Sequence, residues 1–247
     1  MNYAVLPQLF KADEICPAYS YQQLMRIPPA DLCSYRLYRG HFYYCLYRLL
    51  PETPVYMTFL RDPVGRVISL YEYILRSPEH HHHELVRSLK GGIRDFVRSP
   101  ELLAPNFQVT ALSFDIDLMK TLADAQAGRP EPIDEDRVLI AEMVRRPPSH
   151  ADLVTACRRL EEFAFVGIAE RFDYSVQLLC RQFGWPPVPN YESLNVAPES
   201  RMRRAQLAPD LLEEIERIHE LETELYAFAK CLFHRRCSAA GLQPPPI

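Results

Sequence analysis

An arginine and, eight residues later, a serine bracket the stretch VYMTFLRDPVGRVISLYEYIL, residues 55–75, in a chain of 247 residues. A guanidinium at Arg61 and a hydroxyl at Ser69 are groups that hold an anion, provided something brings them to one place. The intervening residues supply a means. Val55–Leu60 is a short apolar run with β-branched and aromatic residues, the pattern of a strand covered on both faces. Arg61-Asp62-Pro63 breaks it. Asp62 suits an N-cap and Pro63 the first helical position, so a helix is expected from there. Val64, Val67, Ile68, Tyr71, Ile74 and Leu75 keep the helical apolar period, and Arg66, Ser69 and Arg76 fall on the opposite face. A strand then runs into a helix N-terminus, where free N–H groups and the helix dipole favour negative charge. A plainer arrangement uses the same residues: Arg61 paired with Asp62 or a carbonyl, and Ser69 on the surface.

Other residues of chemical interest lie apart from this stretch. His41 follows Arg39-Gly40 at the end of a second strand candidate, Tyr35–Tyr38, which would set it at the carboxyl edge of a sheet. A lone histidine is equally at home as a satisfied structural residue. Asn106 and Gln108 occur in APNFQVTAL, residues 104–112, either as hydrogen-bonding groups toward a ligand or as a turn leading into a helix. Residues 191–204, YESLNVAPESRMRR, form a polar loop with Asn195 at its centre and Arg201, Arg203 and Arg204 at its end. Guanidinium groups of such a loop can grip a phosphate or stay solvated. His80 to His83 cannot all face one way and lack a completing Cys or spaced carboxylate. They read as a solvated helix-end loop rather than a metal site.

RDPVGRVISLYEYIL resembles the 3′-phosphate-binding segment R-D-P-x-x-R-x-x-S-x-Y-x-Y of the PAPS-dependent sulfotransferases, in the branch holding bacterial family-2 proteins and heparan 2-O-sulfotransferases. The resemblance implies that Arg61 and Ser69 bind the donor's 3′-phosphate. RGHF, residues 39–42, is similar to the family's G-H segment, which makes His41 the implied base for the acceptor hydroxyl. Asn106 and Gln108 match the N-x-Q segment near the acceptor. Asn195 and Arg201 match the N-V-x-P-x-R loop over the nucleotide. FAFVGIAERFDYSVQLLCRQFGW, residues 163–185, resembles the family's late strand and helix. One family element has no counterpart, the loop of the type H-I-P-K-T-A-G-T that holds the 5′-phosphosulfate. The 247 residues contain neither GxxxxGK[ST] nor Lys-Thr-x-Gly, and Lys11 stands in no glycine-containing loop. On the resemblance, residues 2–17 are the end of the helix that follows that loop, and the chain starts after the missing piece.

Composition narrows the classes. A length of 247 residues suffices for one α/β domain with a sizeable core. The net charge of −4 is wrong for a general nucleic-acid binder. No apolar run is long enough to span a bilayer and no leader pattern opens the chain, so a cytoplasmic protein is expected. Seven cysteines without CxxC spacing, mostly within apolar patterns, point to reduced buried thiols. Helical periods at 93–98, 151–162, 172–183 and 210–233 alternate with the strand candidates, an order implying a parallel sheet with crossovers.

The expectation is one domain over residues 1–236 and a disordered Pro-rich tail over 237–247. Its fold is α/β, a three-layer doubly wound and largely parallel sheet like that of nucleotide kinases, with the first strand and loop missing. The implied function is sulfuryl transfer from PAPS, as co-substrate, to a hydroxyl of a carbohydrate, without a metal. The competing expectation is a catalytically inactive nucleotide-binding or interaction remnant of the same family. A phosphate-transferring kinase has no Walker lysine to support it.

Overall fold

The structure is a computed structural model that describes residues 5–188, 190–191 and 202–245. Among them the chain is α/β with a predominance of helix. Two short helices, α1 (Tyr21–Leu24) and α2 (Pro29–Leu32), precede strand β1 (Met57–Leu60) and helix α3 (Pro63–Arg76). Then come α4 (His83–Arg87), α5 (Ile93–Val97), α6 (Phe107–Ser113), α7 (Leu118–Gln126), α8 (Glu135–Val144) and α9 (His150–Glu162). Strand β2 (Phe165–Ile168) leads to α10 (Phe172–Phe183), and α11 (Pro209–Ile218) and α12 (Glu220–Ala239) complete the described elements.

β1 and β2 pair in parallel, Met57 opposite Phe165 and Leu60 opposite Ile168. Among the described residues this two-stranded pair is the whole sheet. The expected strand at Tyr35–Tyr38 is reduced to an isolated bridge between Ile15 and Leu37. Leu37 N–H to Glu14 O at 3.1 Å and Cys16 N–H to Leu37 O at 2.8 Å make that bridge. β2 is buried along its whole length, whereas β1 is only partly covered over its first three residues. The FVGI run therefore forms the centre of the main core, with Leu160 of α9, Leu178 and Leu179 of α10 and Leu225, Ala229 and Phe233 of α12 packed in the same cluster.

Helix α3 starts as its residues require. Asp62 caps it by accepting the Gly65 N–H at 2.7 Å, and Pro63 occupies the first turn. Val64, Val67, Ile68 and Ile74 turn into a second core with Phe96, Leu211 and Ile215. At its other end the histidine run departs from expectation. His83 is buried and its Nδ1 lies 2.8 Å from Ile74 O, so it serves the end of α3 instead of standing in solvent.

The long helix expected over 210–233 is broken at His219, whose φ of −110° and ψ of 31° close α11 and open α12. The expected disordered tail is also corrected for its described part. Cys237 lies within α12, Leu242 is buried, and Arg171 Nε donates to Pro245 O at 3.2 Å. The thiols are all unpaired: Cys16, Cys45, Cys180 and Cys237 are buried, while Cys33 and Cys231 are exposed.

Gly40 marks a close approach of backbone to backbone. A Cβ there would lie 2.3 Å from Tyr19 O, beside the bond that His41 N–H makes to the same oxygen at 2.7 Å. Gly40→Ala is expected to lower stability by about 2 kcal/mol or more, because backbone must shift to admit the methyl. Urea unfolding followed by circular dichroism measures this, and an unchanged midpoint would contradict it.

Candidate functional site

Arg61 lies between elements: β1 ends at Leu60 and α3 begins at Pro63. Neither a ladder nor a helical bond is available to fix its peptide groups, yet both are taken. Gln108, in the first turn of α6, accepts the Arg61 N–H on Oε1 at 2.9 Å and donates from Nε2 to Arg61 O at 2.8 Å. The same Nε2 donates to Glu222 Oε1 at 2.6 Å.

Glu222 has no exposed surface and neither has His219. Arg66 reaches Glu222 from α3 with two parallel bonds, Nε to Oε1 at 2.6 Å and Nη2 to Oε2 at 3.0 Å. Burial pushes the Glu222 carboxyl up, but the Arg66 guanidinium and the adjacent His219 together outweigh it and hold the group down to about 2. The Asn106 N–H, at 3.0 Å, and Arg66 Nη2, at 3.4 Å, both point at His219 Nδ1. The same nitrogen lies 3.2 Å from Glu222 Oε2. Asn106, in left-handed backbone with φ of 53°, completes the cluster by accepting the Glu222 N–H at 2.9 Å and donating to Ile218 O at 3.2 Å.

Asn106 and Gln108, the residues expected near the acceptor, are both bonded within the protein. Both donors of the Gln108 amide are consumed, and the Asn106 side chain is tied to the α11–α12 junction. Arg66, assigned by its period to the outer face of α3, is tucked against a carboxylate buried on α12, with 16% of its side chain exposed.

On the open side of the joint the Arg61 side chain is partly exposed, its Nε 3.9 Å from Glu170 Oε1. Glu170 Oε1 also accepts the Asp62 N–H at 3.1 Å, and Tyr226 donates to Oε2 at 2.7 Å. Burial, and then Glu170, push the Tyr226 phenol up. Arg204 reaches the same helix start, Nη1 lying 3.4 Å from Asp62 Oδ1 and Nη2 on Glu216. The Met202 N–H goes to Glu72, so residues 202–206 run along α3. Ser69 is half-buried, and its hydroxyl makes no hydrogen bond among the described residues. Two guanidinium groups and a spare hydroxyl thus accompany the N-terminal half of α3, with one of the chain's own carboxylates on a donor that an anion would use.

Asn195 and Arg201 lie outside the described residues. His41 is exposed, and its imidazole makes no hydrogen bond or ion pair with Arg61, Ser69, Asn106 or Gln108 among the described residues. The described residues contain no group of three or more His, Cys, Asp or Glu that could hold a metal ion. Sequence reasoning missed Glu222, His219 and Glu170. A signal existed for Glu222: it stands four residues after Ile218 and three before Leu225, a charge inside the apolar stripe.

Over 240 residues the chain is 30% identical to galactose-3-O-sulfotransferase 3 of Bos taurus, covering 95% of this chain and 48% of that protein. It is 29% identical over 239 residues to the Mus musculus galactose-3-O-sulfotransferase 3, with the same coverage of 95% and 48%. It is 26% identical over 201 residues to heparan-sulfate 6-O-sulfotransferase 3-B of Danio rerio, covering 73% of this chain and 43% of that protein. The chain spans about half the length of the curated relatives it matches. No protein-family profile matches it. These relatives are carbohydrate sulfotransferases, and the similarity runs through most of the chain. They also overturn the expectation of a cytoplasmic protein, since galactose-3-O- and heparan-sulfate sulfotransferases are Golgi membrane enzymes. Among the described residues no helix is long and apolar enough to cross a membrane.

Proposed function

We propose that the chain is the nucleotide-gripping part of a carbohydrate sulfotransferase, with the joint between β1 and α3 as its site for the 3′-phosphate of PAPS. The observation that carries the reading is Arg61 itself: its backbone is clamped on both polar groups while its side chain stays partly open at a capped helix start. Ser69 adds a half-buried hydroxyl without a partner among the described residues. The similarity to galactose-3-O- and heparan-sulfate 6-O-sulfotransferases makes a sulfated nucleotide the anion of choice over a generic phosphate. In this reading the fold is the doubly wound, nucleotide-kinase-like type, of which β1, β2 and their crossover helices are the described part. The family-2 and heparan 2-O branch remains our assignment from the R-D-P-x-x-R-x-x-S pattern.

The reaction is an in-line displacement. The acceptor hydroxyl oxygen, on a carbohydrate, bonds to sulfur as the bond between sulfur and the bridging oxygen of the 5′-phosphate breaks, releasing 3′,5′-ADP. His41 takes the hydroxyl proton. Arg61 and Ser69 hold the 3′-phosphate so that sulfur and oxygen align. Asn195 and Arg201 belong to the loop over the nucleotide. The scheme uses no metal. Its 5′-phosphosulfate loop has no counterpart in these 247 residues, so the chain as given is proposed to bind the nucleotide well and to transfer slowly. The assay is transfer of labelled sulfate from PAPS to galactose-terminated and heparan-type oligosaccharides, run beside 3′,5′-ADP binding. Transfer to either acceptor supports the enzyme reading. Binding without transfer supports the inactive nucleotide-binding reading, and neither binding nor transfer contradicts both.

Glu170 competes with a bound phosphate for the Asp62 N–H and for Arg61. Glu170→Gln keeps one oxygen for the Asp62 N–H, turns an amide N–H toward the Tyr226 hydroxyl and removes the charge. It is expected to tighten 3′,5′-ADP by about threefold, the scale of a partly exposed charge interaction. Calorimetry reads the change, and a weaker complex would refute this assignment of Glu170.

A further inference from the structure

We infer that Gln108 is a positioning residue that sets Arg61 for anion binding, and that the buried Arg66–Glu222 pair fixes Gln108 in turn. This rests on the reading of Arg61 as the 3′-phosphate ligand. The geometry is specific. The Arg61 peptide groups lie past the end of the β1 ladder and before the first turn of α3, where regular structure offers no partner. A side-chain amide that accepts from the N–H and donates to the C=O of one residue reproduces the bond pair of a strand neighbour. Only one orientation of that amide works. Turned over, it would set Oε1 against both Arg61 O and the Glu222 carboxylate.

Glu222 selects the working orientation, because its Oε1 lies 2.6 Å from Nε2 and can only accept. The carboxylate is itself held by two bonds from Arg66, and the Glu222 backbone N–H is tied to Asn106 Oδ1. Three helices thereby converge on one peptide: α3 through Arg66, α12 through Glu222 and α6 through Gln108. A guanidinium carried on so fixed a backbone loses little rotational freedom when it meets a phosphate, which is how preorganisation raises affinity.

The test compares 3′,5′-ADP affinity in Gln108→Met, Arg61→Ala and the double variant. Gln108→Met keeps length and volume but makes neither bond to Arg61. It is expected to weaken 3′,5′-ADP by about tenfold, the scale of one charge-assisted contact out of place. In the Arg61→Ala background the same change is expected to shift affinity less than about twofold, since the group being positioned is gone. Gln108→Asn, one methylene shorter and still polar, is read the same way should the methionine variant not fold.

Amide exchange on the intact parent gives a readout that needs no variant. The Arg61 N–H is expected to exchange as slowly as that of Leu60. Fast exchange of the Arg61 amide overturns the inference, and so does a Gln108→Met effect that persists undiminished without the arginine. The two readings fail differently. If Arg61→Ala binds as the parent does, the phosphate assignment fails while a protected Arg61 amide still upholds the clamp.

Discussion

Arg66→Ala is expected to cost the fold about 3–5 kcal/mol, because it strands the buried Glu222 carboxylate without its guanidinium counter-ion. Glu222 has no solvent to turn to, and the other groups on its carboxylate are the neutral Gln108 amide and the His219 ring, 3.2 Å from Oε2. The loss is one of desolvation left uncompensated, not of the pair's net worth. Arg66→Lys should recover only part, since a single ammonium cannot reproduce the two parallel bonds at 2.6 and 3.0 Å. Thermal and urea unfolding by circular dichroism measure both variants, and a midpoint within error of the parent for Arg66→Ala would refute the account of this pair.

The same pair sets part of the acid limb of stability. The Glu222 carboxyl is lower in the folded chain, about 2, than in an unfolded one near the ordinary glutamate value. A depressed carboxyl stabilises the fold above its unfolded value, and the contribution is lost as pH falls toward its folded value. Stability should therefore decline between about pH 5 and pH 2. Asp152 is lowered as well, the Arg146 guanidinium being the main cause, and adds to the same limb. Glu222→Gln should flatten that decline.

Arg61→Ala is expected to show the opposite profile, a fold that survives and a site that does not. The bonds that Gln108 makes are to Arg61 N–H and C=O, which alanine retains. The side chain itself is partly exposed, with its Nε 3.9 Å from Glu170 Oε1. Its removal should leave the unfolding midpoint nearly in place. Affinity for 3′,5′-ADP should fall about 10- to 100-fold, as expected for the charge-assisted bonds a guanidinium gives a phosphate. Isothermal calorimetry on the two proteins decides it. Equal affinities would remove Arg61 from the site. The two arginines stand five residues apart; Arg66 pairs with the buried Glu222, and Arg61 is the one proposed for the ligand.

The parts of this arrangement that were legible in sequence are the local ones. Asp62 and Pro63 announce the start of α3, and the structure has Asp62 capping it at 2.7 Å. Gly184, with φ of 63°, stops α10 where the pattern said it would. What sequence concealed depends on pairing across distance. Tyr35–Tyr38 has strand-forming residues, but its pairing with residues 14–16 stops at a single bridge. The apolar period over 210–233 reads as one helix because a break at His219 leaves the period almost in phase on both sides. Asn106 and Gln108 look like groups for a sugar because amides are versatile. Only the fold shows that Gln108 is bonded to Arg61 and Glu222 and Asn106 to Ile218 and Glu222, all far away in the chain. The segment with Asn195 and Arg201 lies outside the described residues.

The most direct measurement is a calorimetric titration of the intact chain with 3′,5′-ADP and, separately, with the isomer that carries both phosphates at the 5′ position. The two ligands share base, sugar and phosphate count and differ in where the second phosphate sits. A pocket built on Arg61 and Ser69 predicts one-site binding of 3′,5′-ADP at least about tenfold tighter than its isomer. Equal affinity for the two, or no binding of 3′,5′-ADP, would contradict it.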